Sequence, residues 1–416
     1  MHPSISLSRR RELWLLFTLA GIQFTNIVDF MIMMPLGPQF TALFGIRDAE
    51  FGLLVSAYTL AAGGSGLLAA TYLDRFDRRH LLLVLYTLFG LATLACGLAG
   101  SYGSLMAARI LAGVFGGVLS ALVQTIVADL VPFDRRGRAM SIVMTSFSVA
   151  TVAGVPTGLF LASHFSWHVP FFAIAALVGL LGVLAAITVP TLSAHLQTGR
   201  STSVLRSIAQ ALADSNHRRA FAFSALLMAA GFTVIPFITI YLQTNAGWRA
   251  DQVSYLYLFG GVASLLVARS VGILTDRYGK VRLFRITALA VTVPIMLTTL
   301  TEGWPMAVVL CVSTSFFACM SARMIPGMAI IASAADPALR GTFMAINASV
   351  QSAAMGVAAF IGGSLIGRDA AQSVQGYWKA GLLGVLASLA TVWLAGRIAL
   401  NRGATAPVPP TQPQKA

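Results

Sequence analysis

Long runs of apolar residues, separated by short polar segments, form the main pattern along this chain. A hydrocarbon core about 30 Å thick takes about 20 apolar helical residues to cross. Lipid offers the backbone no hydrogen bonds, so each run is predicted to be a helix that pairs its own N–H and C=O groups. The pattern predicts twelve spans, at 13–38, 51–72, 81–100, 104–128, 139–163, 169–190, 220–243, 252–275, 284–301, 305–330, 341–366 and 377–398.

The first run follows three arginines, Arg9 to Arg11, as the apolar part of a secretory signal does. It is too long for a cleavable signal and contains Asp29 and Pro35. No small-residue cleavage site follows it, so we expect it to be the first span, retained in the mature protein.

Composition narrows the fold class. The chain has 416 residues, of which 57% are hydrophobic and only 10% charged, whereas a soluble domain carries charges on about a quarter of its positions. The predicted fold class is therefore an all-α membrane protein with twelve transmembrane helices. The three cysteines lie in apolar runs and the six histidines in loops or at helix ends, so no disulfide framework, metal site or cofactor is expected.

The placement of lysine and arginine predicts the orientation. Twelve spans leave both termini on one side. If that side is inside, 21 of the 28 cationic residues lie in inside segments, 4 lie outside, and Arg109, Arg269 and Arg323 lie within spans. Inside loops carry the excess of positive charge, so both termini are predicted to be cytoplasmic. The net charge of +14 then faces anionic membrane lipid, and no nucleic-acid partner is predicted.

The longest non-apolar stretch divides the chain almost in half. It is polar and basic, with a short amphipathic segment expected around Leu205–Leu212. The tail is rich in Pro, Thr, Ala and Gln and is predicted to be disordered. The predicted domains are a cytoplasmic N-terminus (1–12), an N-terminal six-helix bundle (13–190), a cytoplasmic linker (191–219), a C-terminal six-helix bundle (220–398) and the tail (399–416).

A polar motif recurs at matching places in the two halves. Leu73–Arg79 stands between spans 2 and 3, and Gly272–Arg282 stands between spans 8 and 9. Asp74 and Asp276 in these loops are 202 positions apart, close to half the chain. A second repeated motif follows spans 4 and 10: it consists of Asp129 and Arg136-Gly137 in the first half and of Asp336 and Arg340-Gly341 in the second. Two parallel halves imply a substrate path at their interface.

The loop Gly272–Arg282 resembles the signature loop of the major facilitator superfamily, G-x-L-x-D-R-x-G-R/K-x-R. The matching positions are Gly272, Leu274, Asp276, Arg277, Gly279, Lys280 and Arg282. The first copy keeps Asp74, Arg75, Arg78 and Arg79 but has Ala70 and Asp77 where the family has glycine. The resemblance covers about residues 13–400. It implies a secondary transporter built from two pseudo-symmetric six-helix halves, usually a monomer.

Two shorter motifs resemble those of proton-driven exporters in that family. Arg109, four residues before Gly113, resembles the arginine motif of span 4. Gly154–Gly158 reads G-V-P-T-G and resembles the antiporter motif of span 5, in the form associated with arabinose and sugar efflux permeases among the drug:proton antiporters. Asp29 before Pro35 in span 1 also fits that branch.

Glycine pairs in spans 4 and 5 have the small-xxx-small spacing. Gly113 and Gly117 form one pair, and Gly154 and Gly158 form the other. Close helix packing is the predicted role. Pro156 between the second pair is expected to add a bend that moves during alternating access.

Asp29 is the only acid predicted to lie deep in a span, where an ionised group costs several kcal/mol unless it is paired or neutralised. Gln23, Asn26 and Asp29 recur every three residues, so they share a helix face. Arg109 lies, like Asp29, in the outer half of its span, and because spans 1 and 4 line the cavity in the resembled fold, the resemblance implies that the two meet. Proton and substrate would then compete for a shared Asp29–Arg109 site. Two alternatives stay open: a purely structural salt bridge for Asp29 and an interfacial snorkel for Arg109.

Three polar residues are predicted to serve the substrate path from the second half. Arg323 in span 10 is expected to bind an anionic or polyhydroxylated substrate or to pair structurally, and Pro326 should distort the helix beside it. Asn347 and Gln351 lie on one face of span 11, where they would bind hydroxyl groups or hold helices together. Arg269 is expected to join the cytoplasmic charges.

The charged loops are predicted to form a cytoplasmic gate. Asp74 and Arg78 are expected to latch to Asp129 and to the N-terminal end of span 11 in the outward-facing state, where the helix dipole favours a carboxylate. The gate residues are Asp74, Arg75, Arg78, Asp129, Asp276, Arg277, Gly279 and Lys280.

These features predict a proton-coupled exporter of a small organic compound, drug or sugar-like, in a bacterial inner membrane. Its expected partners are that compound, protons and membrane lipid. No G-x-x-x-x-G-K-[ST] nucleotide loop is present, so an ion or substrate gradient must supply the energy. An uptake symporter or facilitator of the same fold is the main alternative. A membrane-embedded enzyme would need a set of catalytic side chains, but the predicted spans hold one deep acid and no histidine. A non-transporting sensor would normally carry a soluble signalling domain, and the linker and tail are too short for one.

Overall fold

A computed structural model describes residues 9–73, 76–131, 133–192, 204–336, 339–370 and 372–400. Within these ranges, twelve helical segments are long and apolar enough to cross a membrane. The predicted fold class of twelve transmembrane helices is confirmed. Asp74, Arg75, most of the predicted tail and part of the predicted linker lie outside the described residues.

Six spans precede residues 193–203 and six follow them. The first six are α1 (Arg9–Ile32) with the short α2 (Gly37–Phe44), α3 (Asp48–Tyr72), α4 (Arg78–Gly97), α5 (Tyr102–Leu130), α6 (Phe133–Val149) with α7 (Val155–His164), and α8 (His168–Thr188). A short helix follows where the amphipathic segment was predicted, α9 (Val204–Ala213). The last six are α10 (Ser215–Phe232) with α11 (Ile238–Thr244), α12 (Ala250–Tyr278), α13 (Lys280–Ala290) with α14 (Thr292–Thr298), α15 (Met306–Ala334), α16 (Arg340–Ser364) and α17 (Tyr377–Ala395).

Spans 1 and 7 are broken near matching prolines. The first predicted span was continuous to residue 38, but α1 ends at Ile32 and Pro38 lies in the first turn of α2. Likewise α10 ends at Phe232, and Pro236 sits in a short 3₁₀ turn before α11. Proline disfavours helical backbone at the residue before it and cannot donate a backbone hydrogen bond. Span 1 is interrupted at residues 33–36, which include Pro35, and span 7 is interrupted at Pro236; the helices resume at Gly37 and Ile238.

Proline acts differently in spans 5 and 10. Residues Ala150–Gly154 form a π-helical turn just before Pro156, and the Val155 N–H bonds to the Ala150 carbonyl. The wider turn accommodates the missing N–H of Pro156. The predicted irregularity of span 5 is therefore present, and its movement during transport stays a prediction. In span 10, α15 continues past Pro326, so the predicted distortion does not interrupt that helix.

The two halves meet on the side away from the termini. We call the side where α1 begins and α17 ends the terminal side. On the opposite side, α3 packs along α16: the Ser56 hydroxyl donates to the Gly356 carbonyl at 2.6 Å. A Cβ at Gly52 would lie 2.7 Å from the Ala359 carbonyl oxygen, so glycine is needed for this approach.

An ion pair joins the halves on that same side. A two-stranded hairpin, β1 (Gly367–Arg368) and β2 (Val374–Gln375), lies between α16 and α17. Arg368 donates from Nη2 to Asp48 Oδ1 at 2.8 Å and from Nε to Oδ2 at 2.9 Å. These bonds to Asp48 raise the pKa of Arg368 above its ordinary value. We call this contact the outer ion pair; the sequence did not predict it or the hairpin.

Candidate substrate cavity and buried ion pair

A cavity of about 620 Å³ lies between the two halves. It begins near mid-membrane at Asn26 and Tyr58 and extends to Gly341 and Met344, close to the start of α16. Because the halves are packed together on the other side, the cavity faces the terminal side.

Asp29 and Arg109 form a salt bridge beside the cavity. Arg109 Nη1 lies 2.8 Å from Asp29 Oδ2 and also donates to the Asp29 carbonyl at 3.2 Å. The Thr93 hydroxyl donates to Asp29 Oδ1 at 3.1 Å. Both charged side chains are 0% exposed. The predicted contact is confirmed, and its depth means that each charge depends on the other for stabilisation.

Tyr58 on α3 separates this pair from the cavity. The Arg109 guanidinium lies 4.4 Å from the centre of the Tyr58 ring, and the Tyr58 hydroxyl donates to Asn26 Oδ1 at 2.7 Å. The sequence analysis missed Tyr58, for which the only signal was a tyrosine within an otherwise small and apolar span.

The cavity lining bears on the predicted shared site. The competition of proton and substrate for an Asp29–Arg109 site stays a prediction. Asp29 and Arg109 are not among the described residues that line the cavity, whereas Tyr58 and Asn26 are. The reason is that the helix face carrying Asn26 and Asp29 is turned toward α5, so that only its inner end reaches the cavity. Gln23 follows the same face, and its amide donates to Ser120 on α5 at 3.2 Å.

Asn347 and Gln351 line the cavity from α16. The Gln351 amide also donates to the Ser224 hydroxyl on α10 at 3.0 Å, so it links helices as well. Both roles predicted for this helix face, contact with the cavity and contact between helices, are present in the geometry.

Arg323 is directed into the second half and not into the cavity. Its side chain is 0% exposed, and Nη2 donates to the Leu227 carbonyl on α10 at 2.9 Å. A Cβ at Gly231 would lie 2.1 Å from Met320 Cε, so glycine there makes room for Met320, whereas Nη2 of Arg323 at 3.7 Å would be in ordinary contact. Arg323 is not among the described residues that line the cavity, and its predicted substrate contact stays a prediction.

The predicted gate is described only in part. Arg78 at the start of α4 forms an ion pair with Asp129 near the end of α5. Asp74 and Arg75 lie outside the described residues, so the latch to the start of span 11 stays a prediction.

The second signature loop has Gly279 where the first has Asp77, and the local backbone explains this difference. Gly279 has φ +86°, a backbone conformation that favours glycine, whereas its counterpart Asp77 caps α4 with φ −59°. Asp77 accepts the N–H of His80 at 3.0 Å and that of Leu192 at 2.8 Å. Partial burial raises the pKa of Asp77, but these hydrogen bonds outweigh it and hold that pKa below the ordinary value. The loss of the family glycine is thus matched by a helix cap.

The remaining charged residues of the second loop lie on the terminal side. Asp276 and Arg277 are exposed at the end of α12, and Lys280 Nζ donates to the Ser333 hydroxyl at 2.6 Å. Arg269 is exposed on α12, outside the cavity lining.

The glycine pairs pack as predicted. A Cβ at Gly154 or Gly158 would lie 2.4 Å from side chains of α1. A Cβ at Gly113 or Gly117 would lie 2.3 or 2.4 Å from carbonyl oxygens of α3, the first of them that of Tyr58. Close approach of α5 to α3 therefore places Tyr58 against Arg109.

Comparison with known proteins places this geometry in context. Residues 19–359 and 221–415 match the sequence profile described as Major Facilitator Superfamily. The "Uncharacterized MFS-type transporter YtbD" of Bacillus subtilis (strain 168) is 28% identical over 347 residues, 82% of this chain and 85% of that protein. The "Chloramphenicol resistance protein" of Streptomyces lividans is 29% identical over 270 residues, 64% of this chain and 66% of that protein.

A solved structure shares the fold. The crystal structure of a D-xylose-proton symporter superimposes with a TM-score of 0.74 at 20% identity, covering 92% of this chain and 97% of that one. The predicted arrangement of twelve helices in two six-helix halves is therefore confirmed.

Proposed function

This chain belongs to the Major Facilitator Superfamily, and we propose that it is a proton-coupled exporter that moves a small organic compound across a bacterial inner membrane by alternating access. Transport of a small molecule is the general activity that its family and relatives support. The observation that carries the finer proposal is the fully buried Asp29–Arg109 pair beside a cavity between the halves.

Asp29 has two states of low cost at this depth. It is ionised beside Arg109, or it is protonated and neutral, because an unpaired charge in the membrane costs several kcal/mol. Uptake of one proton removes the charge that holds the guanidinium. A pair of this kind links proton binding to a rearrangement of α1 against α5, which is what coupled transport needs.

The lysine and arginine bias favours cytoplasmic termini, and the cavity then opens to the cytoplasm, a state that exporters and importers of this fold share. Two observations support export as the direction. The G-V-P-T-G segment of span 5 resembles the antiporter motif. One relative is named a chloramphenicol resistance protein, which suggests a drug-like cargo.

In this proposal the two bundles, 13–190 and 220–398, rock as units about the midplane, joined by the linker 191–219. The outer ion pair closes one side, and the charged loops close the other in the opposite state. The Arg78–Asp129 pair holds α4 to α5 within the first half. The chain works as a monomer, without a cofactor.

Everted membrane vesicles with an acidified lumen test the proposal. Adding chloramphenicol should release protons from the lumen of vesicles that contain the wild type, seen as recovery of acridine-orange fluorescence. Asp29→Asn should abolish this release. Asp251→Asn, which changes an exposed acid at the start of α12, is the matched control and should behave as wild type.

Other outcomes identify the alternatives. A symporter would carry protons into the lumen together with the added compound and quench the dye further. A facilitator would move labelled chloramphenicol with no change in fluorescence. Either result would contradict the proposed antiport.

A further inference from the structure

Tyr58 and Asn26 form a wall that the cavity and the ion pair share. The Tyr58 ring covers the Arg109 guanidinium at 4.4 Å, and its hydroxyl donates to Asn26 at 2.7 Å. The Asn26 amide is held in turn by two acceptors on α5, each at 3.0 Å. Both wall residues line the cavity, whereas Asp29 and Arg109 are 0% exposed. A molecule in the cavity therefore touches the wall and not the charges.

The guanidinium behind the wall is hydrogen-bonded to Asp29 through one nitrogen, and the Cys96 thiol lies beside it. Nη1 of Arg109 makes both hydrogen bonds to Asp29, and within the described part of the chain Nε and Nη2 have no hydrogen-bond partner. When Asp29 takes up a proton, the guanidinium loses its anionic partner and keeps its hydrogen bond to the Asp29 carbonyl and its contact with the Tyr58 ring. A shift of the guanidinium therefore moves the ring, and with it the bond from Tyr58 to Asn26.

The cavity offers its contents no formal charge. Among the described residues that line it, every side chain is apolar or a neutral amide, hydroxyl or thioether. Asn347 Oδ1 is buried there and lacks a hydrogen-bond partner within the described ranges, so it is ready to accept a donor. Thioether side chains adapt to apolar surfaces of varied shape. Those that line the cavity are Met144, Met328, Met344 and Met355.

We propose that the transported compound is electrically neutral, carries hydroxyl or amide N–H groups beside an apolar face, and acts on the buried ion pair through Tyr58 and Asn26 rather than by touching it. This rests on the proposed proton-coupled export. A charged compound would find no counter-charge among these lining residues, and burying it would be costly. The volume of about 620 Å³ suits a drug-sized molecule. Tyr58 is a positioning residue in this account.

Calorimetric titration of the purified full-length protein tests the class of compound. The uncharged probes are chloramphenicol and isopropyl thiogalactoside, and the charged probes are tetraphenylphosphonium and benzoate. At least one uncharged probe should bind about tenfold more tightly than either charged one, a difference of about 1.4 kcal/mol. Tighter binding of a charged probe, or no binding of either uncharged probe, would overturn the proposal.

Proton release on binding tests the wall. In weakly buffered solution, at a pH low enough that Asp29 of the probe-free wild type carries a proton, saturation with the uncharged probe that binds should release that proton. Tyr58→Leu, with the probe concentration raised until it is also saturated, should release at least about twofold fewer protons, and Tyr58→Phe, which keeps the ring, should lie between. Tyr257→Phe changes an equally buried tyrosine on α12 and should match wild type.

The outcomes separate the two proposals. Undiminished proton release by Tyr58→Leu would overturn the wall as the link while leaving proton coupling intact. Binding by the wild type with no proton release at all would remove the proposed proton coupling itself, and the affinities would still decide the class of compound.

Discussion

At the scale of single residues, the main feature of this protein is one fully buried salt bridge. Asp29 and Arg109 are 0% exposed and 2.8 Å apart, with Thr93 and Tyr58 as their nearest described supports. Burying two charges has a desolvation penalty that their attraction does little more than offset, so the pair itself adds little to the stability of the fold. Removing one partner leaves the other charge buried and uncompensated. Loss of one partner is therefore expected to destabilise the fold more than loss of both.

Arg109→Ala should destabilise the protein by about 3 to 5 kcal/mol because it leaves a buried carboxylate without its cation. The double change Asp29→Asn with Arg109→Gln should recover most of that stability but not proton-coupled transport. Thermal unfolding in detergent measures the first effect. Arg249→Ala, which breaks an exposed ion pair with Asp251, is the control and should be nearly neutral. A fully stable Arg109→Ala would contradict this account.

At the scale of helices, the spans were predictable and their contacts were not. Membrane thickness dictates the length of each apolar run, so the twelve spans follow from the sequence, and Pro35 and Pro236 account for breaks in two of them. Which faces meet depends on helix rotation, which no local pattern encodes. Hence the contact of Asp29 with Arg109 could be anticipated from depth, whereas the position of Tyr58 and the inward direction of Arg323 could not.

The contact between α5 and α3 gives a prediction at this scale. Gly117→Leu should lower stability and transport together, because a Cβ there would lie 2.4 Å from a carbonyl oxygen of α3. Overpacking of this kind costs about 1 to 3 kcal/mol. Gly179→Leu is the matched control, since nothing lies within 4 Å of a Cβ at that position of α8. Equal effects of the two changes on thermal unfolding would show that the packing argument is wrong.

A helix cap gives a second prediction at this scale. Asp214 accepts the His217 N–H at 2.8 Å at the start of α10, and this hydrogen bond lowers the pKa of Asp214. Asp214→Ala should cost about 1 kcal/mol, and Asp214→Asn much less. Because the pKa of Asp214 is lower in the folded than in the unfolded state, its ionisation stabilises the fold at pH values above the unfolded-state pKa, about 3.9. That stabilisation is lost as the pH falls through the folded-state pKa. The cost of Asp214→Ala should thus be equal at about pH 7 and about pH 5; a smaller cost at the lower value would contradict the cap.

At the scale of the whole molecule, the contacts between the halves describe one of the two states that alternating access requires. Glycine contacts, the Ser56–Gly356 hydrogen bond and the outer ion pair all lie on the side away from the termini. The cavity faces the other side. Opening on the side away from the termini must therefore break the outer ion pair, which is bidentate with Asp48 only 2% exposed.

Breaking the outer ion pair should populate the outward-facing state. Arg368→Gln should raise, several-fold, the labelling from outside the cell of a single cysteine placed at the cavity residue Ser349. Loss of the ion pair should destabilise the state that is closed on this side by about 1 to 2 kcal/mol, which corresponds to a several-fold rise in labelling. Cys96, Cys311 and Cys319 must first be replaced. Arg249→Gln, which removes the exposed Arg249–Asp251 ion pair within one half, should leave labelling unchanged. An equal rise in labelling with this variant would contradict the role of Asp48–Arg368.

The central claim is that Asp29 couples proton movement to export, and proteoliposomes test it most directly. An imposed pH gradient should drive accumulation of labelled chloramphenicol by the wild type. Asp29→Asn should lose that accumulation while it keeps exchange of labelled for unlabelled compound across the membrane. Accumulation by Asp29→Asn at the wild-type level would contradict the account, because the proton would then bind elsewhere.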